Sequence, residues 1–164
     1  MVDPYGLFDV ISGFTGDTFS EQLAYMRTPA GQREALLRQF GDQLQQRINK
    51  CKNKAERDKL QSIFDNWVVF VDPNIDDPNK RIRGTEADTW YDRQKTRFNY
   101  WFFNGGNRTF VFIHEFRHLM PENGALNTSG YIGDRLTGSG SIHPMEQDAD
   151  GWANDFLGGN CGCQ

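Results

Sequence analysis

The stretch TFVFIHEFRHLMP, which runs from Thr109 to Pro121, carries two of the three histidines of this 164-residue chain. His114 and His118 are four residues apart, so on a helix they lie on one face about one turn apart. Four apolar residues precede His114, and Pro121 gives the helix a natural end. The stretch therefore predicts a largely buried helix, with Asn107 or Thr109 as its N-cap.

This pattern also predicts a catalytic metal site. Two imidazoles so placed can both bind one Zn²⁺ at about 2.0–2.1 Å. Glu115 follows the first histidine, where it can take a proton from an attacking water and return it to a leaving group. With His114 and His118 it completes the pattern H-E-x-x-H. Two ordinary helix histidines are the alternative, but a buried helix carries such polar side chains only at a cost.

A catalytic zinc usually has three protein ligands, and the third is expected downstream on another element. Glu146 and Asp150 stand four residues apart on a predicted last helix. We expect Glu146 to bind the metal and Asp150 to accept a hydrogen bond from a zinc-bound histidine, which would fix the orientation of that ring. Asp148, His143 and Asp134 remain alternatives for the third ligand.

The residue that stabilises the oxyanion of the transition state is not determined by the sequence. His143 is the first choice because it lies close to Glu146, and we predict it as a second catalytic residue. A residue that merely starts the last helix is an equally good interpretation of His143. Tyr131, Arg117 and Tyr100 are the other candidates.

The order of the predicted elements is helices, then strands, then helices, which is typical of the α+β class. Residues 1–17 are expected to form an irregular lead-in, and residues 18–164 one catalytic domain. The domain is expected to open with a helical hairpin, whose two helices begin at Thr28 and Asn53. Their apolar stripes have helical spacing and comprise Leu37, Phe40, Leu44 and Ile48, then Leu60, Ile63, Phe64 and Trp67.

A small sheet and the two site helices should follow the hairpin. Residues 67–72 are β-branched and aromatic and predict one strand, and residues 89–106 predict one or two more. A loop rich in Gly, Ser and Asn is expected over residues 121–141. The last helix is expected to begin near Pro144 and to end at Gly158. Its apolar stripe comprises Ala149, Trp152, Ala153 and Phe156.

Composition limits the functions open to the chain. Its net charge is -4 at pH 7, whereas binding to nucleic acid or to anionic membranes needs a basic surface. No apolar run is long enough for a membrane span, and the N-terminus has no signal-peptide pattern. Three cysteines do not indicate a disulfide framework. Cys161 and Cys163 are expected to lie in a frayed tail, and Cys51 stands far from both.

The two site motifs together resemble the gluzincin type of zincin metallopeptidase. In that group an H-E-x-x-H helix is followed by a helix carrying E-x-x-x-D, which runs here from Glu146 to Asp150. The resemblance covers residues 110–157 and implies a single zincin-like domain that hydrolyses peptide bonds with Zn²⁺ as cofactor. The resemblance implies three metal ligands, His114, His118 and Glu146. It also implies Glu115 as the general base and Asp150 as the hydrogen-bond partner of a ligand.

Two further functions remain alternatives. One is a zinc hydrolase that acts on a non-peptide amide, such as a cell-wall bond, with the same site. The other is a zincin-like binding module without catalysis. The intact Glu115 favours an enzyme, since a site that needs no base has little reason to keep a carboxylate there.

A second resemblance lies at the N-terminus. DPYGL, from Asp3 to Leu7, is similar to the D-P-x-G-L signature that closes the core of bacterial Rhs/YD-repeat proteins, although Asp-Pro before Gly is also a common turn. In those proteins the following segment is a toxin domain, delivered into another cell and neutralised in the producer by an immunity protein. The resemblance implies a secreted effector. Its partners would be a protein or peptide substrate, an immunity protein and the rest of an Rhs-type delivery protein.

Overall fold

The structure is a computed structural model that describes residues 8–82, 84–126 and 143–161. Within these residues, seven helices and a four-stranded mixed sheet confirm the α+β class. None of the described helices is long and apolar enough to cross a membrane. The helices are α1 (Phe19–Met26), α2 (Pro29–Asn49), α3 (Lys54–Asp65), α4 (Tyr100–Asn104), α5 (Arg108–His118), α6 (Pro121–Gly124) and α7 (Pro144–Leu157). The strands are β1 (Asp9–Val10), β2 (Val68–Val71), β3 (Ala87–Trp90) and β4 (Lys95–Phe98).

The sheet has the strand order β1-β2-β4-β3. β2 is parallel to both β1 and β4, whereas β3 is antiparallel to β4 and forms one edge of the sheet. A short 3₁₀ turn joins β3 to β4 and ends at Gln94, which has a left-handed backbone with φ of 50°. This turn lets the chain reverse within a few residues and sets Thr89 directly opposite Thr96.

The predicted helical hairpin is confirmed as α2 and α3. The side chain of Thr28 accepts a hydrogen bond from the backbone of Gly31, and Asn53 does the same for Glu56, so both helices are capped at their first turn. The predicted stripes face the core, and α2 packs against β2 and α5. The hairpin therefore forms a backing for the sheet and for the histidine helix.

Phe112 anchors α5 in the aromatic core. Its ring centroid lies 4.8 Å from that of Trp67, 5.4 Å from Phe98, 5.5 Å from Phe40 and 6.2 Å from Phe8. Burying one such ring contributes about 1.5–3 kcal/mol, so this contact set holds the helix firmly. Because Phe112 faces the core, the residues two and six positions later face a different side of α5.

Four elements were not predicted, and one of them is α6, which occupies the start of the loop expected over residues 121–141. The lead-in expected over residues 1–17 contains β1, which pairs with β2. α1 begins with a capping box in which Thr18 and Glu21 bond each other's backbone. The stretch 89–106 contains β4 and the second half of β3, which begins at Ala87, but its aromatic run at residues 100–104 forms α4.

The frayed tail predicted for the last residues is wrong for Cys161, which forms a disulfide with Cys51. The two cysteines are separated by 110 residues in sequence. Cys51 follows α2 and Cys161 follows α7, so the bond ties the end of α7 to the α2–α3 turn. An odd number of cysteines does not exclude a single disulfide, because one cysteine can remain outside the pair. Cys163 and the DPYGL motif lie outside the described residues.

Candidate metal centre

His114 and His118 lie on one face of α5, and their Nε2 atoms are 3.0 Å apart. Glu146 on α7 contacts both rings, with Oε2 2.9 Å from Nε2 of His114 and Oε1 3.4 Å from Nε2 of His118. Ligand atoms at about 2.0–2.1 Å from a tetrahedral zinc stand roughly 3.3–3.4 Å apart. The three side chains therefore already have the spacing that such an ion requires, to within about half an ångström.

Glu115 belongs to the same group. One ligand atom each from His114, Glu115 and His118 all lie within 4.8 Å of one another, so these residues could hold a metal ion. Glu115 is only 7% exposed, and its Oε2 accepts a hydrogen bond of 2.5 Å from the hydroxyl of Thr89 on β3. A carboxylate is thus buried directly beside the two imidazoles.

Asp150 holds the ring of His114 from its far side. Its Oδ1 lies 2.8 Å from Nδ1 of His114. Since a carboxylate accepts, Nδ1 donates to Asp150, and Nε2 is the nitrogen that is left to bind a metal. Asp150 stands one turn after Glu146 on α7 and contacts a histidine of the site, and its role beside a bound metal stays a prediction.

Asn123 holds the ring of His118 as Asp150 holds that of His114, and the sequence analysis did not identify it. Its side chain is fully buried, and its Oδ1 lies 2.7 Å from Nδ1 of His118. Its Nδ2 donates to the backbone oxygen of Met145 and to Oδ2 of Asp148, both at 2.8 Å. Because both of these are acceptors, the amide orientation is fixed and Nδ1 of His118 must be the donor.

Two of the sequence candidates bind each other. Asp148, an alternative ligand, accepts hydrogen bonds from Nε and Nη2 of Arg117 at 2.8 and 3.1 Å. Arg117 was a candidate for the oxyanion donor. Burial alone would raise the pKa of Asp148, but the hydrogen bonds from Arg117 and Asn123 outweigh it and lower that pKa. The ion pair between Arg117 and Asp148 links α5 to α7 on the side of α7 that faces away from Glu146.

The remaining candidates are placed as follows. His143 is the N-cap of α7, and its Nδ1 accepts a hydrogen bond of 3.1 Å from the backbone of Met145. The ring of Tyr100 lies under the guanidinium of Arg81, 3.7 Å from its centroid. Asp134 and Tyr131 lie outside the described residues. The catalytic role of His143 stays a prediction.

The electrostatics of the site favour a positive charge between the rings. Hydrogen bonds from His114 and His118 hold the pKa of Glu146 far below its usual range. Burial alone would lower the pKa of His118, but the hydrogen bond to Glu146 and the charge of Glu115 outweigh it and raise that pKa to about 9. The pKa of His114 is raised for the same reasons. A bound divalent cation would be stabilised by the same negative potential. The side chains of His114, His118 and Glu146 therefore suit a metal ion in charge as well as in spacing.

The side chains of His114, His118 and Glu146 line a cleft of about 880 Å³. One wall is the edge strand β3, and α5 and α7 supply the other walls. Tyr91 and Asn107 also line the cleft; the sequence analysis did not name Tyr91, and it named Asn107 only as an N-cap of α5. A substrate in this cleft would lie between β3 and the two site helices.

No known protein family, no curated protein and no solved structure matches the chain. The function is therefore inferred from the chemistry of the site.

Proposed function

We propose that the protein is a zinc-dependent endopeptidase of the gluzincin type. The observation that carries the proposal is the convergence of the two histidine Nε2 atoms on the carboxylate of Glu146, beside the buried Glu115. Glu115 and Glu146 are both near enough to serve as the third ligand. Glu146 is preferred because it contacts both rings, whereas Oε2 of Glu115 is engaged by Thr89.

Each residue then has a separate role. A zinc ion held by His114, His118 and Glu146 would supply a Lewis acid for the scissile carbonyl and for water. Glu115 takes a proton from the attacking water and passes it to the leaving amine. Burial raises the pKa of Glu115, which brings it closer to the range where a carboxyl group can both accept and return a proton. Asp150 and Asn123 keep the rings of His114 and His118 in place through the cycle.

The edge strand supports an extended peptide as the substrate. β3 pairs on one side with β4, and the whole strand lines the cleft. The outward backbone groups of an edge strand can pair with an added strand, which is a common way of binding extended peptides. Such a peptide would pass in front of Glu115 and the two histidines. This observation favours a peptide bond over a non-peptide amide.

We extend the proposal to a toxin domain delivered by an Rhs-type protein. The DPYGL motif supports this context, and the disulfide between Cys51 and Cys161 agrees with it, because disulfides persist mainly in oxidising compartments. Expression of the chain with export to a bacterial periplasm should arrest growth. Growth of those cells at the normal rate, with folded protein present, would contradict the toxin role.

The peptidase function is tested with Glu115→Gln. Zinc-loaded protein is incubated with a peptide mixture from a bacterial lysate, and new termini are counted by mass spectrometry. The variant should keep its zinc and its fold but lose activity by about 10²- to 10⁴-fold. Glu56→Gln on α3 makes the same chemical change outside the cleft and should cleave like the wild type. Equal cleavage by Glu115→Gln, or none by the wild type, would overturn the proposal.

A further inference from the structure

Glu115 ends a series of three hydrogen bonds that crosses the sheet, of which the first is buried and the other two are partly buried. The indole Nε1 of Trp67 donates to Oγ1 of Thr96 at 2.8 Å. Oγ1 of Thr96 lies 2.8 Å from Oγ1 of Thr89, and Thr89 lies 2.5 Å from Oε2 of Glu115. Trp67 and Thr96 have no exposed surface. The series thus runs from the buried Trp67 and Thr96 to Thr89 and Glu115, which line the cleft.

The register of the sheet produces this alignment. Thr96 on β4 stands opposite Thr89 on β3 and opposite Val69 on β2. Trp67 precedes Val69 by two residues, so it points to the same face of the sheet. That face is the one against which α5 packs, and it brings Thr89 to Glu115. Burying the hydroxyl of Thr96 is costly unless it is hydrogen-bonded, and Trp67 and Thr89 supply its partners.

The two ends of the series set the direction of every bond. An indole N–H can only donate, and Glu115 can only accept when it is ionised, as a general base must be. Thr96 therefore accepts from Trp67 and gives its own hydrogen to Thr89. Thr89 in turn gives its hydrogen to Glu115. Each hydroxyl is used once as acceptor and once as donor, so the series points towards the carboxylate.

We propose that Thr89 is a positioning residue for Glu115, and that Thr96 and Trp67 keep Thr89 in its role as donor. The inference rests on the proposed peptidase function. The bond from Thr89 occupies Oε2 and fixes the rotation of the carboxylate, so Oε1 is the oxygen that exchanges a proton with water and with the leaving amine. Positioning of this kind acts on the chemical step and leaves substrate binding unchanged.

Thr89→Val and Thr89→Ser form a matched pair for the test. Valine keeps the shape and the β-branch but cannot donate, whereas serine keeps the hydroxyl. The probe is the synthetic peptide that the wild type cleaves fastest in the lysate-peptide assay. Thr89→Val should lower kcat by about 10- to 100-fold, with KM, zinc content and melting temperature unchanged, and Thr89→Ser should restore most of kcat. Equal kcat in the two variants, or a change in KM alone, would overturn the inference.

A second readout separates this inference from the peptidase proposal. The Thr89 hydroxyl proton, bound to a buried carboxylate, should give a slowly exchanging downfield NMR signal that is lost in Thr89→Val. An active wild type without this signal would overturn the positioning role and leave the peptidase intact. A zinc-loaded wild type that shows the signal but cleaves no peptide would overturn the peptidase function. The hydrogen bond would then exist, but it would have no role in catalysis.

Discussion

Oδ1 of Asn123 lies 2.7 Å from Nδ1 of His118, and this contact decides which nitrogen of the ring faces Glu146. The other end of the same amide is bonded to α7, which carries Glu146. One buried side chain therefore sets both the orientation of His118 and the position of the helix opposite. The geometry of the candidate centre depends on this joint between α5, α6 and α7.

Asn123→Ala should accordingly damage the centre without removing a ligand. We expect zinc affinity to fall by about 10- to 100-fold, since His118 loses its orienting partner. The free energy of unfolding should fall by about 1–3 kcal/mol because buried polar groups lose their hydrogen bonds. Competition with a chromogenic chelator and urea unfolding measure the two effects. Asn154→Ala, at an exposed position of α7, is the control, and equal zinc affinity in the two variants would contradict the account.

Zinc affinity should depend on pH in a defined direction. In metal-free protein the pKa of His118 is about 9, so the ring is protonated at pH 7 and zinc must displace that proton. Affinity should therefore rise with pH between 6 and 9, by about tenfold per pH unit for each proton displaced. Chelator-buffered titrations measure this slope, and calorimetry in two buffers counts the protons released. A flat profile with no proton release would show that the rings are not protonated as described.

Reduction of the Cys51–Cys161 disulfide should destabilise the fold. The bond closes a span of 110 residues, for which chain entropy gives a stabilisation of about 4–5 kcal/mol. The reductant should lower the urea midpoint of metal-free wild type and leave that of the double variant Cys51→Ser/Cys161→Ser unchanged. An unchanged midpoint for the reduced wild type would show that the bond is absent in solution or contributes nothing.

Much of the framework could be predicted from local pattern. The stripe of Leu37, Leu44 and Ile48 and the stop at Gly158 are short-range signals, and the structure confirms the helices that they predict. α1 was missed because all of its residues are exposed or half-buried, so it has no buried apolar stripe for the sequence to reveal. Its capping box at Thr18 was a usable signal.

Other features depend on contacts that local pattern does not encode. β1 has only two residues and exists because β2 pairs with it. The aromatic run of α4 has strand-like composition, and packing of Phe102 on Phe98 and Phe40 overrides that preference. Within the candidate site, the H-E-x-x-H spacing brings His114 and His118 together by helix geometry alone. Asn123 and Thr89 could not be predicted, because their partners come from elements distant in sequence.

We propose above all that α5 and α7 together hold one metal ion. Elemental analysis of purified wild type, His118→Ala and Glu146→Ala tests it most directly, with folding checked for each. His143→Ala is the control, since it removes the third histidine, which caps α7. The account predicts about one zinc per chain in the wild type and in His143→Ala, and little or none in the other two. No zinc in the wild type, even after zinc is supplied, would contradict it.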